Sequence, residues 1–252
     1  MKNLIKYFGI LIVSLSVISC ITDKKSESAK STVTETVKQA PVKSILTAEE
    51  QENMTPDEII GKLKKGNENF VSNNLTQRDH SSQRREAMIG QYPKAIVLSC
   101  VDSRVPVEDV FDLGIGDIFV ARVAGNIENA DIVGSMEFAT AVAGSKVVIV
   151  MGHTACGAVK HAVDNTNAAS MEMNSLQNLL DEIKPSVKAT PKSGEISSKN
   201  TEFLTNVIHK NAKITVEDIR KRSPKMASLE DDGKIKIVAA VYNMATGKVE
   251  FI

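Results

Sequence analysis

Two short apolar runs in this chain each lead directly into residues of the kinds that bind metals. Ala95–Ser99 is followed by Cys100, and residues 146–151 are followed, after one glycine, by His153 and then Cys156. Continuous apolar runs of this length are typical of strands buried on both faces of a parallel sheet. Ligands of such sheets bind outside the carboxyl ends of the strands, so the pattern predicts that Cys100 and His153 meet at that edge.

Strand and helix patterns alternate along most of the chain, which predicts an α/β fold. Thr55, with Glu58 three residues later, forms a capping-box pattern at the start of a helix over residues 56–73. The other expected helices cover residues 131–143, from 156 onward, from 176 to about Pro185, and 201–222, and the other strands cover 117–122, 235–242 and 248–252. We therefore predict a mostly parallel central sheet flanked by helices, with a C-terminal β-hairpin at one edge.

Cys100, His153 and Cys156 supply two thiolates and one imidazole. Three protein ligands are the number that a catalytic zinc site uses, because the fourth position stays open for water. A disulfide between the two cysteines is the alternative in an exported protein. A closed structural zinc site is a further alternative, but it usually shows two close ligand pairs in a small module. The histidine beside one cysteine and the Asp-Ser-Arg sequence after the other favour the open metal site.

Asp102 and Arg104 follow the first predicted ligand. In extended backbone, side chains two and four residues apart point the same way, so both are expected beside the open metal position. Asp102 is then a candidate acid or base, and a possible fourth ligand in a closed state. The guanidinium fork of Arg104 matches a carboxylate and would hold Asp102 off the metal. An ordinary surface ion pair is the alternative.

The N-terminus has the pattern of a targeting segment. Lys2 and Lys6 precede an apolar stretch, residues 8–18, that is too short to span a bilayer. It ends at Ser19 and Cys20, and a small residue before a cysteine at this point resembles a bacterial lipobox. The resemblance implies cleavage before Cys20 and lipid attachment to its sulfur. An ordinary secretory signal with a chance cysteine is the alternative.

Residues 21–47 are rich in Lys, Ser, Thr, Glu and Ala and contain almost no large apolar side chains. Such a composition cannot bury enough surface to offset its ordering entropy, so a flexible tether is expected. The predicted organisation is a signal peptide over residues 1–19, a lipidated tether over 20–48 and a zinc domain over 49–252. We therefore expect an exported protein that is anchored to a membrane on the periplasmic or cell-surface side.

The charge and aromatic content exclude one class of partner. The chain has 31 basic and 31 acidic residues, no Trp, and only 4% aromatic residues. It therefore has neither the basic field nor the stacking platform that a nucleic-acid-binding protein uses. A small-molecule substrate is expected instead.

The motifs around the candidate ligands resemble those of the β-class carbonic anhydrases. The resemblance covers about residues 50–252 and is strongest in CVDSRVP from Cys100, FDLGIGDIFV from Phe111, RVAGN from Arg122, GSMEF from Gly134 and GHTACGAV from Gly152. It implies one zinc ion per chain, held by Cys100, His153 and Cys156, and a zinc lyase that reversibly hydrates carbon dioxide to bicarbonate and a proton. Similar scaffolds hydrolyse carbonyl sulfide or carbon disulfide, which is the alternative activity.

The resemblance has further implications for substrate binding and assembly. Backbone N–H groups near Gly157, at an expected helix N-terminus, could hold a bicarbonate oxygen. A homodimer or a multiple of it is implied, with the helix from Pro56 packed on the neighbouring subunit. Asn69 replaces an arginine usual in the family, which is expected to weaken a subunit contact. Val101 replaces a usual serine, and one subgroup's tryptophan-containing bicarbonate regulatory site is not expected because Trp is absent.

Overall fold

Five strands form one sheet in the computed structural model, which describes residues 40–192 and 194–252. The strands are Ala95–Ser99 (β1), Ile118–Arg122 (β2), Val147–His153 (β3), Lys236–Tyr242 (β4) and Val249–Phe251 (β5). Their order across the sheet is β2-β1-β3-β4-β5, with the first four parallel and β5 antiparallel to β4. The predicted α/β fold and C-terminal strand pair are confirmed.

The register of the two central strands determines which residues meet at the carboxyl edge. Every residue of β1 and β3 is buried. Ser99 lies opposite Met151, so the chain leaves β1 beside the last two residues of β3. Cys100 therefore emerges next to His153, as the two apolar runs predicted.

Nine α-helices surround the sheet within the described residues. They are Ala48–Asn53 (α1), Pro56–Val71 (α2), His80–Glu86 (α3), Val107–Val110 (α4), Ala130–Glu137 (α5), Gly157–Val163 (α6), Asn174–Ala189 (α7), Thr201–Arg222 (α8) and Pro224–Asp231 (α9). Alternate strand residues point to opposite faces of a sheet. Val97 and Ile149 accordingly pack with α2, and Leu98 and Val150 pack with α8 and α9. None of these helices is long and apolar enough to cross a membrane.

Helix α2 begins with the predicted capping box. The hydroxyl of Thr55 accepts a hydrogen bond from Glu58 N, and Thr55 N donates to the Glu58 carboxylate at 2.8 Å. Ile59 and Leu63 are completely buried in the core of their own chain. The apolar face of α2 thus packs within its own chain, and the predicted contact of this helix with a neighbouring subunit stays a prediction.

Two helices end several residues away from their predicted ends. The helix expected to end near Pro185 continues to Ala189, with the proline inside it. Pro185 removes one backbone donor, but buried residues on both sides of it, Ile183 and Ser186, keep the helix packed. The helix expected over residues 131–143 ends its α-helical part at Glu137 and continues as a π-helical turn.

The folded domain begins before the predicted boundary at residue 49. Val42 N donates to Gln77 O at 2.8 Å, and Asp79 N donates to Val42 O at 2.8 Å. Gln83 Nε2 donates to Ser44 O. Residues 42–48, which are predicted to belong to the tether, therefore pack on the domain. The predicted signal peptide, Cys20 and residues 21–39 of the predicted tether lie outside the described residues.

Candidate metal centre

The three predicted ligands lie together at the carboxyl ends of β1 and β3. Cys100 directly follows β1, His153 ends β3, and Cys156 directly precedes α6. Their exposed fractions are only 4%, 0% and 1%. One ligand atom from each lies within 4.8 Å of the others, and they form the one such group found among the described residues.

The separation of the two sulfur atoms excludes the disulfide and fits a zinc ion. Cys100 Sγ and Cys156 Sγ are 4.0 Å apart, and both thiols are free. A disulfide would bring them to about 2.05 Å. Two sulfurs at tetrahedral positions about 2.3 Å from one zinc ion are about 3.8 Å apart. The disulfide hypothesis is therefore wrong, and the spacing suits a shared metal.

His153 presents one nitrogen to this group. Its Nδ1 lies 3.0 Å from Thr154 O. A carbonyl oxygen only accepts, so Nδ1 carries the proton and Nε2 has its lone pair free. Nε2 is completely buried and has no hydrogen-bond partner. A metal-binding histidine usually has this arrangement, with the second nitrogen donating to a carbonyl or carboxylate.

The turn between β3 and α6 places His153 and Cys156 side by side. Ala155 has a φ of +58°, a conformation that few residues other than glycine adopt. Thr154 is fixed from both sides, since its N donates to Tyr242 O at 3.0 Å and its hydroxyl accepts from Met244 N at 3.0 Å. The end of β4 thus supports a strained turn, and strain of this kind is concentrated at functional sites.

The two thiols differ in acidity because they interact with each other. A hydrogen bond from the Cys156 thiol lowers the pKa of Cys100 to about 4 against the effect of burial, and contacts with His153 and Gly125 N act in the same direction. The Cys100 thiolate and burial in turn raise the pKa of Cys156. The pair therefore binds one proton tightly. A metal cation deprotonates a coordinating thiol outright and so satisfies both sulfurs.

Asp102 and Arg104 form the predicted pair at the mouth of the site. Arg104 Nε and Nη2 donate to Asp102 Oδ1 and Oδ2 at 2.9 and 2.8 Å, and Arg104 N also donates to Oδ1. These hydrogen bonds hold the pKa of Asp102 well below its usual range. Asp102 Oδ2 lies 3.8 Å from His153 Nε2. A permanently ionised carboxylate thus lies beside the candidate metal ligands.

Two further residues support the site, and sequence reasoning assigned neither a role. Arg122 binds the loop after β1, donating from Nε to Cys100 O at 2.9 Å and from Nη2 to Asp102 O at 2.7 Å. Gly125 N donates to Cys100 Sγ at 3.3 Å. Both belong to the RVAGN segment that resembles the family. That segment is the feature of the sequence that could have indicated their importance.

Gly157 is the first residue of α6 and is exposed. A β-carbon placed on it would have nothing within 4 Å. The space over this helix N-terminus is therefore open, and the predicted contact with a substrate anion stays a prediction.

A mostly parallel α/β sheet with a buried Cys-His-Cys group at its carboxyl edge is the arrangement of a metalloprotein. Comparison with known proteins identifies the family. A family model described as carbonic anhydrase matches residues 95–249. Carbonic anhydrase 2 of Mycobacterium tuberculosis is 32% identical over 197 residues, which cover 78% of this chain and 92% of that protein. The chain therefore belongs to the carbonic anhydrase family.

Solved structures show which fold the chain shares. The β-carbonic anhydrase CcaA has a TM-score of 0.59 at 21% identity, covering 78% of this chain and 98% of that chain. A structure from the work on two tetrameric β-carbonic anhydrases of Sordaria macrospora has a TM-score of 0.58 at 18% identity. The match covers 67% of this chain and 85% of that chain. The fold is that of the β class. A more distant relative, 27% identical over 62% of this chain and 89% of that protein, is a carbon disulfide hydrolase of Saccharolobus solfataricus.

Proposed function

We propose that this protein interconverts carbon dioxide and bicarbonate at a zinc site formed by Cys100, His153 and Cys156. The observation that carries the proposal is the unpartnered, buried Nε2 of His153 facing two thiols whose spacing suits zinc. A bound zinc ion lowers the pKa of a water molecule to about 7, a value already known for carbonic anhydrases themselves, and so supplies hydroxide at neutral pH.

The role proposed for Asp102 follows from its partners. Arg104 occupies both carboxylate oxygens from one side and keeps the group ionised and in place. The ionised carboxylate is then a hydrogen-bond acceptor for the attacking water, and it orients that water toward the carbon of carbon dioxide. Backbone N–H groups at Gly157 are proposed to bind an oxygen of the bicarbonate product.

A stopped-flow hydration assay on protein of measured metal content tests the activity. We expect one zinc ion per chain by elemental analysis. Replacing Cys100, His153 or Cys156 by Ala should remove zinc and activity together. Carbonyl sulfide and carbon disulfide hydrolysis, measured on the same preparation, tests the alternative substrate class. Full hydration activity in metal-free protein would contradict the proposal.

We also propose that the protein is a homodimer or a multiple of it. Within the described residues, no strand pairs with the outer side of β2. Phe119 of β2 contacts Phe138 with ring centroids 6.1 Å apart, and Phe138 and Val142 are 49% and 73% exposed. An open strand edge beside exposed apolar side chains is a surface suited to a second copy.

Light scattering should show a dimer, and Phe138→Glu should weaken it. An active monomer at assay concentration would contradict this proposal.

The proposed location rests on the sequence pattern at the N-terminus. Lipid on Cys20 would anchor the exported protein, and more than one acyl chain is needed for stable attachment to a membrane. We expect the native protein in the membrane fraction on the non-cytoplasmic side. Cys20→Ser should leave zinc content and activity intact while releasing the protein from that fraction or leaving its signal uncleaved. Wild-type protein found in the cytoplasm with Met1 retained would contradict the lipoprotein proposal alone.

A further inference from the structure

We infer that Asn211 is a positioning residue of the metal centre, because its side chain binds the Gly125 carbonyl and so holds the turn from which Gly125 N donates to Cys100 Sγ. The inference rests on the proposed zinc site. It adds a residue from helix α8, far from the ligand motifs in sequence, to the groups that determine the properties of that site.

The turn that carries Gly125 needs support from outside itself. Gly125 has a φ of +72°, and the next residue, Asn126, has a φ of +45°. A left-handed conformation at a residue other than glycine costs free energy and persists only where surrounding contacts enforce it. The N–H of Gly125 points to Cys100 Sγ at 3.3 Å in a buried environment, so its direction depends on how firmly this turn is held.

Asn211 supplies the support on the side away from the sulfur. It is only 2% exposed, and its Nδ2 donates to Gly125 O at 2.8 Å. Its Oδ1 accepts a hydrogen bond from the Ser186 hydroxyl at 3.1 Å. Because Ser186 donates to the oxygen, the amide group is oriented with its nitrogen toward Gly125. The Gly125 residue is thus bound at both its N–H and its carbonyl.

Helix α7 completes the clamp on this turn. Ser186 is completely buried, and its own carbonyl accepts from the Thr190 hydroxyl at 2.8 Å. Ile183, one turn earlier, packs so closely on Gly125 that a β-carbon there would lie 2.6 Å from its Cδ1. Glycine is therefore required at position 125 for close approach as well as for its backbone conformation. A continuous set of contacts joins α7 and α8 to the sulfur of Cys100.

A hydrogen bond to this sulfur has a chemical consequence. Two thiolates donate more negative charge to a metal than imidazoles do, which weakens the metal as a Lewis acid. An N–H directed at one thiolate withdraws part of that charge, and outer partners of this kind orient metal ligands and tune the metal they bind. Loss of such a partner typically costs about 10–100-fold in metal affinity or activity. Asn211 does not touch the sulfur itself and acts through the Gly125 turn, whose carbonyl it binds.

Two substitutions of Asn211 test the inference in the zinc-loaded protein. Asn211→Leu removes the donor, and Asn211→Asp places a carboxylate against the Gly125 carbonyl. We expect both variants to lose zinc affinity by about 10-fold or more, measured by competition with a chelator. In cobalt-substituted protein, the thiolate-to-cobalt charge-transfer band should move, because its energy reports the electron density on sulfur.

Asn67 offers a matched control. It is also a buried asparagine, 7% exposed, and its Nδ2 donates to two backbone carbonyls, Val110 O at 3.0 Å and Gly247 O at 2.8 Å. It lies on α2, whose side chains belong to a different part of the core from the cysteines. Asn67→Leu should lower the melting temperature while leaving zinc affinity and the cobalt spectrum unchanged.

The outcomes separate a positioning role from a merely structural one. If the Asn211 and Asn67 variants lower the melting temperature alike and all retain wild-type zinc affinity and cobalt spectrum, the inference is wrong. If Asn211→Leu does not fold, Asn211→Asp and Ser186→Ala decide in the same way, with a smaller shift expected for Ser186→Ala. A wild-type protein that binds no zinc would instead overturn the metal-site proposal itself.

Discussion

Two aspartates in the loop between β1 and β2 each pair with an arginine, and the two pairs differ in burial and in the source of their hydrogen bonds. In the pair at the metal centre, the Asp102 side chain is 14% exposed and that of Arg104 is 60% exposed. In the second pair, the Asp112 side chain is 2% exposed and that of Arg78 is 13% exposed. The same two functional groups thus lie in a solvent-facing site and in the protein interior.

The partners of Asp112 come from distant parts of the chain. Its carboxylate accepts from Asn69 Nδ2 at 2.8 Å, from Thr76 N and Oγ1 at 2.9 and 2.8 Å, and from Arg78 Nη1 at 2.7 Å. Arg78 Nη2 also donates to Asp112 O. These contacts tie the end of α2 and the segment after it to the β1–β2 loop.

The arginine partner of Asp102 is Arg104, which lies only two residues later in the chain. All of its hydrogen bonds from Arg104 are local, and they connect no separate elements. A surface pair of this kind adds little to stability, whereas a buried pair is strongly destabilising to break. Burial and the origin of the partners, more than the residue types, therefore distinguish the pair proposed to act in catalysis from the structural pair.

The largest expected effect is on the pair at the metal centre, for which a catalytic role is proposed. Asp102→Asn removes the ionised acceptor while keeping the shape of the side chain, so we expect a rate of carbon dioxide hydration about 10²–10⁴-fold lower. Zinc content and melting temperature should stay at wild-type values. The measurement is stopped-flow hydration with zinc quantified in each sample. A wild-type rate would show that this pair too is only structural.

The reverse result is expected for the buried pair. Asp112 has a φ of +50°, a conformation that Asn also tolerates, so Asp112→Asn removes the charge without new backbone strain. Leaving Arg78 without its buried partner should cost about 3–5 kcal/mol of unfolding free energy. Urea denaturation of the zinc-loaded protein measures this loss. The hydration rate per folded, zinc-containing chain should be unchanged, and a rate that falls in parallel with Asp102→Asn would remove the distinction between the pairs.

The ligand group and the central strands could be predicted from the sequence because their signals are local. Cys100 and His153 each follow a continuous apolar run, and parallel strands bring the residues at their ends together. The Asp102–Arg104 pair was also predictable from its short spacing, but the extended backbone assumed for it is wrong. The chain turns at Ser103 and Arg104, and Val105 N donates to Asp102 O at 3.2 Å. No information about distant parts of the chain was needed.

The supporting residues could not be predicted, because their partners are distant in sequence. Asn211 reaches Gly125 across 86 positions, and neither α7 nor α8 carries a pattern that indicates chemistry. Ser186 was not expected on a helix at all, because Pro185 predicted a helix end at a point where the helix continues. Asn69 donates to Asp112 within its own chain, a contact that the sequence did not indicate, and the expected weakening of a subunit contact stays a prediction. Tertiary packing decides each of these contacts.

Replacing the arginine of each pair should have smaller effects than replacing its aspartate. Arg104→Ala leaves the Asp102 carboxylate, which lies 3.8 Å from His153 Nε2, free to take the fourth position of a zinc ion held by that nitrogen. The loss of this supporting group should lower the hydration rate by about 10–100-fold. Its melting temperature should match the wild type, because the side chain is largely in solvent. Arg78→Ala should lower the melting temperature and keep the rate. An exchange of these two phenotypes would reverse the assignment of the pairs.

The smallest expected effect is the pH dependence of stability. Burial acts to raise the pKa of Asp112, but hydrogen bonds from Arg78, Asn69 and Thr76 outweigh it and hold the pKa below its ordinary value. A carboxyl whose pKa is depressed by folding stabilises the protein above its unfolded pKa of about 3.9, and this contribution is lost as pH falls through the folded value.

The difference in unfolding free energy between wild type and Asp112→Asn should therefore be constant from about pH 5 to 8 and shrink below about pH 4. Zinc release at low pH affects both proteins alike, so the difference isolates Asp112. Asp102→Asn is the matched control. The carboxyl of Asp102 in the wild type also has a depressed pKa, but its arginine partner is exposed and screened by solvent. The difference in unfolding free energy between wild type and Asp102→Asn should therefore be smaller at every pH. Equal differences for the two variants would mean that burial does not separate the two pairs energetically.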